Sequence, residues 1–154
     1  MERAMLGDLN QEQIKNLLSS QMIGRLGCHA DDKTYVVPVT YAYDKEYLYM
    51  HTQEGMKIKM MRKNPQVCFE VDRVENMANW QSAVVWGTYE ELNGKEAERA
   101  LQTLVNRVMP LVTSQTSRPR YGLDKPHAPI NPKMKTVVFR IKMTETTGRF
   151  EKSY

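Results

Sequence analysis

The chain has 154 residues, 41% hydrophobic and 26% charged, with a net charge of +4. That length is most simply one domain with one core, spanning residues 1–154. No apolar run approaches the roughly 20 residues that cross a bilayer. Met1 to Gln13 is polar, with no apolar signal segment, so a membrane partner is excluded and a cytoplasmic location expected.

Asn10 is placed to cap a helix, with Gln13 completing a capping box. Ile14, Leu17 and Leu18 then share one apolar face, and the helix runs to about Ser20. Met22 to Ala30 is a strand, closed by the turn signal Asp31-Asp32. Tyr35, Val37, Val39, Tyr41 and Tyr43 alternate along the next strand, and Asp44-Lys45 turns it into a strand over Glu46 to His51. Pro38 cannot donate to a ladder, so it marks an edge or a bulge where the backbone is free to meet something else.

Gly55 permits a sharp turn into a short helix that Asn64-Pro65 stops. Lys57 then falls in the first helical turn, beside free backbone N–H groups and the positive end of the helix dipole. A cation there is unfavourable unless an anion sits beside it. The corner therefore reads as a phosphate site, with His51 and Thr52 at the strand end as further donors. A solvated basic helix is the other reading, since Lys59, Arg62 and Lys63 follow. Elsewhere basic and acidic residues interleave, which argues against a nucleic-acid partner and for a small anionic ligand.

Gln66 to Arg73 is another strand. Trp80 to Leu92 is a longer one, with Gly87 as a bulge or bend. After Asn93-Gly94, Lys95 to Val108 is an amphipathic helix with Ala97, Leu101, Leu104, Val105 and Val108 on one side, closed by Pro110. Residues 113–135 hold Pro119, Pro126, Pro129 and Pro132 without periodicity, and read as an irregular arm or loop. Thr136 to Met143 is the last strand. Six strands joined mainly by hairpins indicate a closed antiparallel barrel.

Cys28 and Cys68 read as buried free thiols. His29, His51 and His127 lack metal-ligand spacing, so no metal is expected. Arg25 reads as a surface or salt-bridge residue, and the 11 methionines as core fillers. No serine, cysteine or carboxylate set stands out for catalysis, and no Gly-x-Gly-x-x-Gly dinucleotide motif is present.

Several segments follow in a specific order. Ile23-Gly24-Arg25-Leu26-Gly27, Tyr35-Val36-Val37-Pro38-Val39-Thr40-Tyr41, Tyr49-Met50-His51 and Gly55-x-Lys57 come first. Asn64-Pro65-x-Val67-Cys68-Phe69-Glu70-Val71-Asp72 and Trp80-x-Ser82-x-Val84-Val85-x-Gly87 come next, and Val138-Phe139-Arg140-Ile141 with Thr147-Gly148 closes the set. Over most of residues 10–149 this resembles the pyridoxamine-phosphate-oxidase-like flavoprotein superfamily. It is most similar to the Nim-type branch of nitroimidazole-resistance and flavin-nucleotide-binding proteins.

The resemblance implies a mainly β fold, a six-stranded antiparallel split β-barrel with flanking helices. It also implies a homodimer with FMN in a cleft at the interface. Lys57 matches the position that contacts the flavin phosphate. His51, with Thr52 beside it, matches the strand end next to the phosphate and ribityl chain. In the Nim branch the His51 position is also linked to activity, which makes it a catalytic candidate. Val37, Pro38, Val39 and Thr40 match the strand along the flavin ring. Trp80 and Ser82 match a segment that reaches the cofactor, often from the other subunit, and Trp80 reads equally as a dimer anchor.

The chain departs from the oxidases themselves. Their Ser-Arg-Lys corner is Gly55-Met56-Lys57 here, so backbone amides and His51 or Thr52 must compensate. Beyond Ile141 there is Arg149 but no histidine for a phosphorylated pyridoxamine. The implied function is a nitroreductase-like, FMN-dependent oxidoreductase that reduces a small acceptor with electrons from a small-molecule donor. A flavin carrier or sensor without turnover is one alternative. The same barrel holding haem or a deazaflavin is another.

Overall fold

The computed structural model describes residues 4–108 and 136–154. The arm expected over 113–135, with Pro110 and His127, lies outside the described residues.

Strand β1 (Ala4–Asp8) leads into helix α1 (Gln11–Ser20). The capping box is closed from both sides: Gln13 N donates to Asn10 Oδ1 at 2.9 Å, and Asn10 N donates to Gln13 Oε1 at 2.8 Å. Pairing these orphan donors contributes about 1 kcal/mol. Ile14, Leu17 and Leu18 are buried, on the face their spacing predicts. Strands β2 (Ile23–Ala30) and β3 (Lys33–Thr40) form a hairpin. Its turn residues Asp31 and Asp32 have φ of 53° and 60°, the left-handed region that aspartate tolerates and tight hairpins need.

Strands β4 (Ala42–Asp44) and β5 (Tyr47–Gln53) pair next, followed by helix α2 (Met56–Lys63). Strands β6 (Gln66–Asn76) and β7 (Asn79–Leu92), helix α3 (Gly94–Val108) and strand β8 (Thr136–Ser153) complete the described elements.

The strands form one sheet in the order β3-β2-β6-β7-β8-β5-β4, with β1 added on β8. Every ladder is antiparallel. β3 and β4 stand at opposite ends of that order, yet only Tyr41 separates them in the chain. The chain therefore joins the two ends and curls the sheet into a barrel. Among the described residues β3 pairs with β2 and β4 with β5, so no described ladder joins β3 to the β4–β5 hairpin and the barrel is split there.

The antiparallel barrel matches the expected class, but with eight strands rather than six. The single strand expected over Tyr35 to Tyr43 divides at Tyr41. There the backbone N–H donates to Met22 O at 2.9 Å and the buried hydroxyl donates to Leu18 O at 2.6 Å. β1 was not expected, and β8 continues past Met143. β1 is largely exposed, the β8 extension mixes exposed and half-buried residues, and neither alternates cleanly. Their pairing with each other, and that of β8 with β7, makes them strands.

Two local expectations hold. Pro38 lies on β3, whose described ladder is with β2 alone, as proline requires of an edge. The β7–β8 register shifts between Trp86 and Gly87, the bulge expected there.

Leu26, Leu48, Phe69, Val71, Val85 and Ile141 are fully buried in the barrel. Each contributes roughly 1.5–3 kcal/mol through burial. The Tyr41 ring meets Phe69 edge-on at 4.9 Å. Met50, Met60 and Met61 fill the same core. A smaller cluster of Leu92, Ala100 and Val138 packs with Tyr49 and Ala97 where α3 meets β5 and β8. No described helix is long and apolar enough to cross a membrane.

Candidate functional site

Gly55 is the N-cap of α2, with φ −176° and ψ −166°. That is extended backbone open to any residue, so the sharp turn that a glycine permits is not used. A Cβ at Gly55 would come no nearer than 3.9 Å to Gln53 O. The glycine contributes an absent side chain instead. No side-chain hydrogen bond caps the helix, so nothing competes there for the first-turn N–H groups.

The basic cluster on α2 resolves into separate fates. Arg62 forks onto Glu54 and also binds Glu91. Lys63 pairs with Asp31 at 2.5 Å. Lys59 is exposed. Lys57 alone is half-buried, and among the described residues no carboxylate oxygen lies within 4.0 Å of its amine. Burial pulls its pKa down, and the neighbouring Cys28 thiol offsets this only in part. Lys59, Arg62 and Lys63 are thus exposed, as a solvated basic helix requires, whereas Lys57 is half-buried. Desolvation and the helix dipole both disfavour this cation, and an anion relieves both.

α2 packs on β2, which places Lys57 near Cys28. Cys28 is buried, with Sγ 3.8 Å from Tyr35 O and 4.0 Å from Met60 Sδ, and burial pushes its thiol pKa up. Cys28 stands opposite Tyr35 in the β2–β3 ladder. Lys57, Cys28 and Tyr35 thus bring α2, β2 and β3 together. Val37 and Val39 continue the Tyr35 face of β3 and are half-buried, whereas Pro38 and Thr40 alternate to the outer face. By the same alternation Thr52 shares the core-side face of Met50, and His51 shares the face of Tyr49, toward α3.

The outer face of β3, β2, β6 and β7 carries the remaining candidates. Pro38 stands opposite Arg25, Arg25 opposite Glu70, Asp72 opposite Ser82 and Val74 opposite Trp80. Arg25 forms ion pairs with Glu70 at 3.7 Å and Asp72 at 3.5 Å, the salt-bridge role read for it. The Ser82 hydroxyl donates to Glu70 Oε2 at 3.0 Å. Burial, then the neighbouring Asp72 carboxyl, raises the Glu70 pKa.

A groove of about 500 Å³ crosses this face between Val36, Gly27, Cys68 and Trp86. Cys68 is therefore half-buried on the outer face and not a core thiol. Trp80 borders a separate groove of about 210 Å³ with Arg73, Phe150 and Lys152.

The fold thus sorts the sequence-predicted residues. Lys57, Val37, Val39 and Thr52 lie toward the core side of the split. Pro38, Thr40, Ser82 and Trp80 lie on the outer face, and His51 lies toward α3. Sequence reasoning missed Glu54, Glu91 and Tyr89, which form one hydrogen-bonded network with Arg62. No sequence spacing pairs them, because Glu54 precedes the helix and Glu91 comes from β7. The Glu70–Asp72 pair was legible in principle, since alternate strand residues share a face.

The family model described as pyridoxamine 5'-phosphate oxidase matches residues 10–150. An uncharacterized protein of Rhizobium meliloti (strain 1021) is 36% identical over 84 residues, 54% of this chain and 56% of that protein. The match thus spans just over half the length of that relative. Among solved structures, a FAD-binding protein from Mesorhizobium loti is 30% identical with a TM-score of 0.71, covering 95% of this chain and 98% of that one. A candidate 5-nitroimidazole antibiotic resistance protein from Bacteroides thetaiotaomicron shares the fold at 19% identity. Its TM-score is 0.66, over 100% of this chain and 92% of its own.

Proposed function

Because the chain belongs to the pyridoxamine 5'-phosphate oxidase family, we propose that it is an FMN-binding flavoprotein. In this reading it is a homodimer with FMN at the interface, and it reduces a small acceptor such as a nitro compound. The observation that carries the reading is Lys57, a half-buried cation at a helix N-terminus with no described carboxylate partner. A phosphate monoester fits that corner. Lys57 neutralises it, first-turn N–H groups of α2 donate to it, and Thr52 at the end of β5 adds a side-chain donor.

Bound there, FMN supplies the electron transfer, and the protein binds, orients and shields it. The edge strand β3 offers backbone groups to the ring at Val37, Pro38, Val39 and Thr40. The apolar outer face supports a second copy: Val36 is 60%, Val74 64% and Trp86 40% exposed on it. Trp80 and Ser82 lie away from the Lys57 side of the sheet, and a second copy brings such residues to the cofactor.

FAD is the second reading, favoured by the Mesorhizobium loti neighbour being named as FAD-binding. Titration with FMN, FAD and riboflavin, read by flavin absorption and fluorescence, separates the two. FMN is expected to bind with about one flavin per chain. Turnover of a nitro compound with a reduced nicotinamide donor then tests the oxidoreductase. Failure of a correctly folded protein to bind FMN at micromolar concentration overturns the reading.

A further inference from the structure

Glu54 lies between the end of β5 and the N-cap of α2, on the chain just before Lys57. Its carboxylate takes a bidentate fork from the last turn of the same helix. Arg62 Nη2 donates to Oε1 at 2.7 Å and Nη1 to Oε2 at 3.1 Å. The third arm of the guanidinium, Nε, donates to Glu91 Oε1 on β7 at 2.8 Å. The Tyr89 hydroxyl donates to that same oxygen at 2.6 Å. One arginine therefore ties together the loop before α2, the end of α2 and strand β7. Arg62 and Tyr89 hold the Glu91 carboxyl below its ordinary range.

This arrangement has an electrostatic consequence at the corner. A free carboxylate just before a helix N-terminus is drawn to the first-turn N–H groups and to the dipole. Here it would also be drawn to Lys57, which has no described carboxylate of its own. Glu54 is thus the natural internal competitor for any anion at this corner. Arg62 stands further along the helix, roughly 7.5 Å beyond Lys57 at 1.5 Å per residue. The fork engages both carboxylate oxygens and neutralises them on the guanidinium.

We propose that Arg62 is a positioning residue that keeps the Glu54 carboxylate out of the anion site, so that a ligand phosphate and not Glu54 becomes the counter-ion of Lys57. The proposal rests on the phosphate reading above and deepens it, by naming the device that sets preference for phosphorylated over unphosphorylated flavin. A merely structural role for Arg62 would weaken both ligands alike. A gating role weakens only the phosphorylated one, and removal of Glu54 cures it.

The test compares wild type, Arg62→Gln, Glu54→Gln and the double variant, each first verified as folded by circular dichroism. FMN and riboflavin dissociation constants are measured for all four. Arg62→Gln is expected to weaken FMN by about fivefold to twentyfold and to leave riboflavin unchanged. The double variant is expected to regain wild-type FMN affinity. Unchanged FMN affinity in Arg62→Gln, or a double variant as weak as the single, overturns the proposal. Titration of the Lys57 amine by side-chain NMR reads the same competition without flavin. Its pKa is expected to rise in Arg62→Gln and to return in the double variant, and no rise overturns the proposal. A wild type that binds no FMN overturns the phosphate reading instead, while the lysine titration still decides the role of Arg62.

Discussion

The Trp80 indole donates from Nε1 to Glu151 Oε2 at 3.0 Å, across the ladder that joins β7 to β8. The bond satisfies the polar edge of the ring and fixes it on the outer face, with Val74 opposite on β6. An indole held in this way is ordered before any association, which lowers the entropy cost of burying it.

In the proposed homodimer, Trp80→Ala is expected to weaken both self-association and FMN binding. Lys95→Ala, at an exposed position on α3, is expected to affect neither. Linkage also requires FMN to strengthen the dimer. Sedimentation with and without FMN measures all three effects, and a monomer that holds FMN at full affinity refutes the expectation.

Lys57→Ala removes the cation from the corner while leaving the backbone donors in place. Loss of one charge-assisted hydrogen bond is expected to cost about 1.5–3 kcal/mol, roughly tenfold to a hundredfold in FMN affinity. Riboflavin, which lacks the phosphate, is expected to bind as before. Equal weakening of both ligands, measured by fluorescence titration, would show that the lysine serves the fold alone.

The lowered Lys57 pKa fixes a sign for pH dependence. Burial places it below its ordinary value of 10.5. Between the lowered folded value and that ordinary value, the unfolded chain binds more protons than the folded one. Stability from this group therefore rises with pH through that window. Phosphate binding has the opposite sign, since it needs the charged amine. FMN affinity is expected to be fully present between the second ionisation of the phosphate, at about pH 6, and the lowered lysine pKa, and to fall as pH rises through the latter. Riboflavin provides the control for ionisation of the ring. A ratio of the two affinities that stays flat up to pH 10.5 contradicts the assignment.

Gly87 sits at the β7 bulge, where an added Cβ would overlap the Lys142 carbonyl and lie 2.7 Å from Ile141 Cγ2. A carbonyl held in a ladder cannot yield as a flexible side chain does. Gly87→Ala is expected to destabilise by about 1–3 kcal/mol. Gly55→Ala, with 3.9 Å of room and extended backbone, is expected to shift stability by less than about 0.5 kcal/mol. Urea unfolding of the two variants distinguishes these outcomes, and a neutral Gly87→Ala would mean that the bulge relaxes.

By itself the sequence determined whatever depends on neighbours along the chain. Asn10 and Gln13 carry their own capping box, Asp31 and Asp32 their own hairpin turn, and Asn64-Pro65 the end of α2. Pro38 announces an edge because a missing N–H is a property of the residue. Gly87 signals its bulge because a missing Cβ is likewise a property of the residue, although the close approach that requires it comes from β8. The strand and turn signals were enough to reach an antiparallel barrel, and the ordered segments from Ile23-Gly24 to Thr147-Gly148, by their resemblance, to reach the family.

The tertiary structure decided what depends on partners far away in the chain. β1 and the end of β8 are strands because they pair with one another, not because their residues alternate. Tyr41 breaks a continuous apolar pattern because the Leu18 carbonyl and Met22 carbonyl are waiting for its donors. Register across the sheet, which no local pattern encodes, put Pro38, Ser82 and Trp80 on one face and Lys57 behind the other. Only the folded chain could separate four basic residues of one short helix into three exposed cations, two of them ion-paired, and one half-buried cation with no described carboxylate partner. That outcome depends on where Glu54, Glu91 and Asp31 arrive in space, and Coulomb energy falls with distance through space, not with separation along the chain.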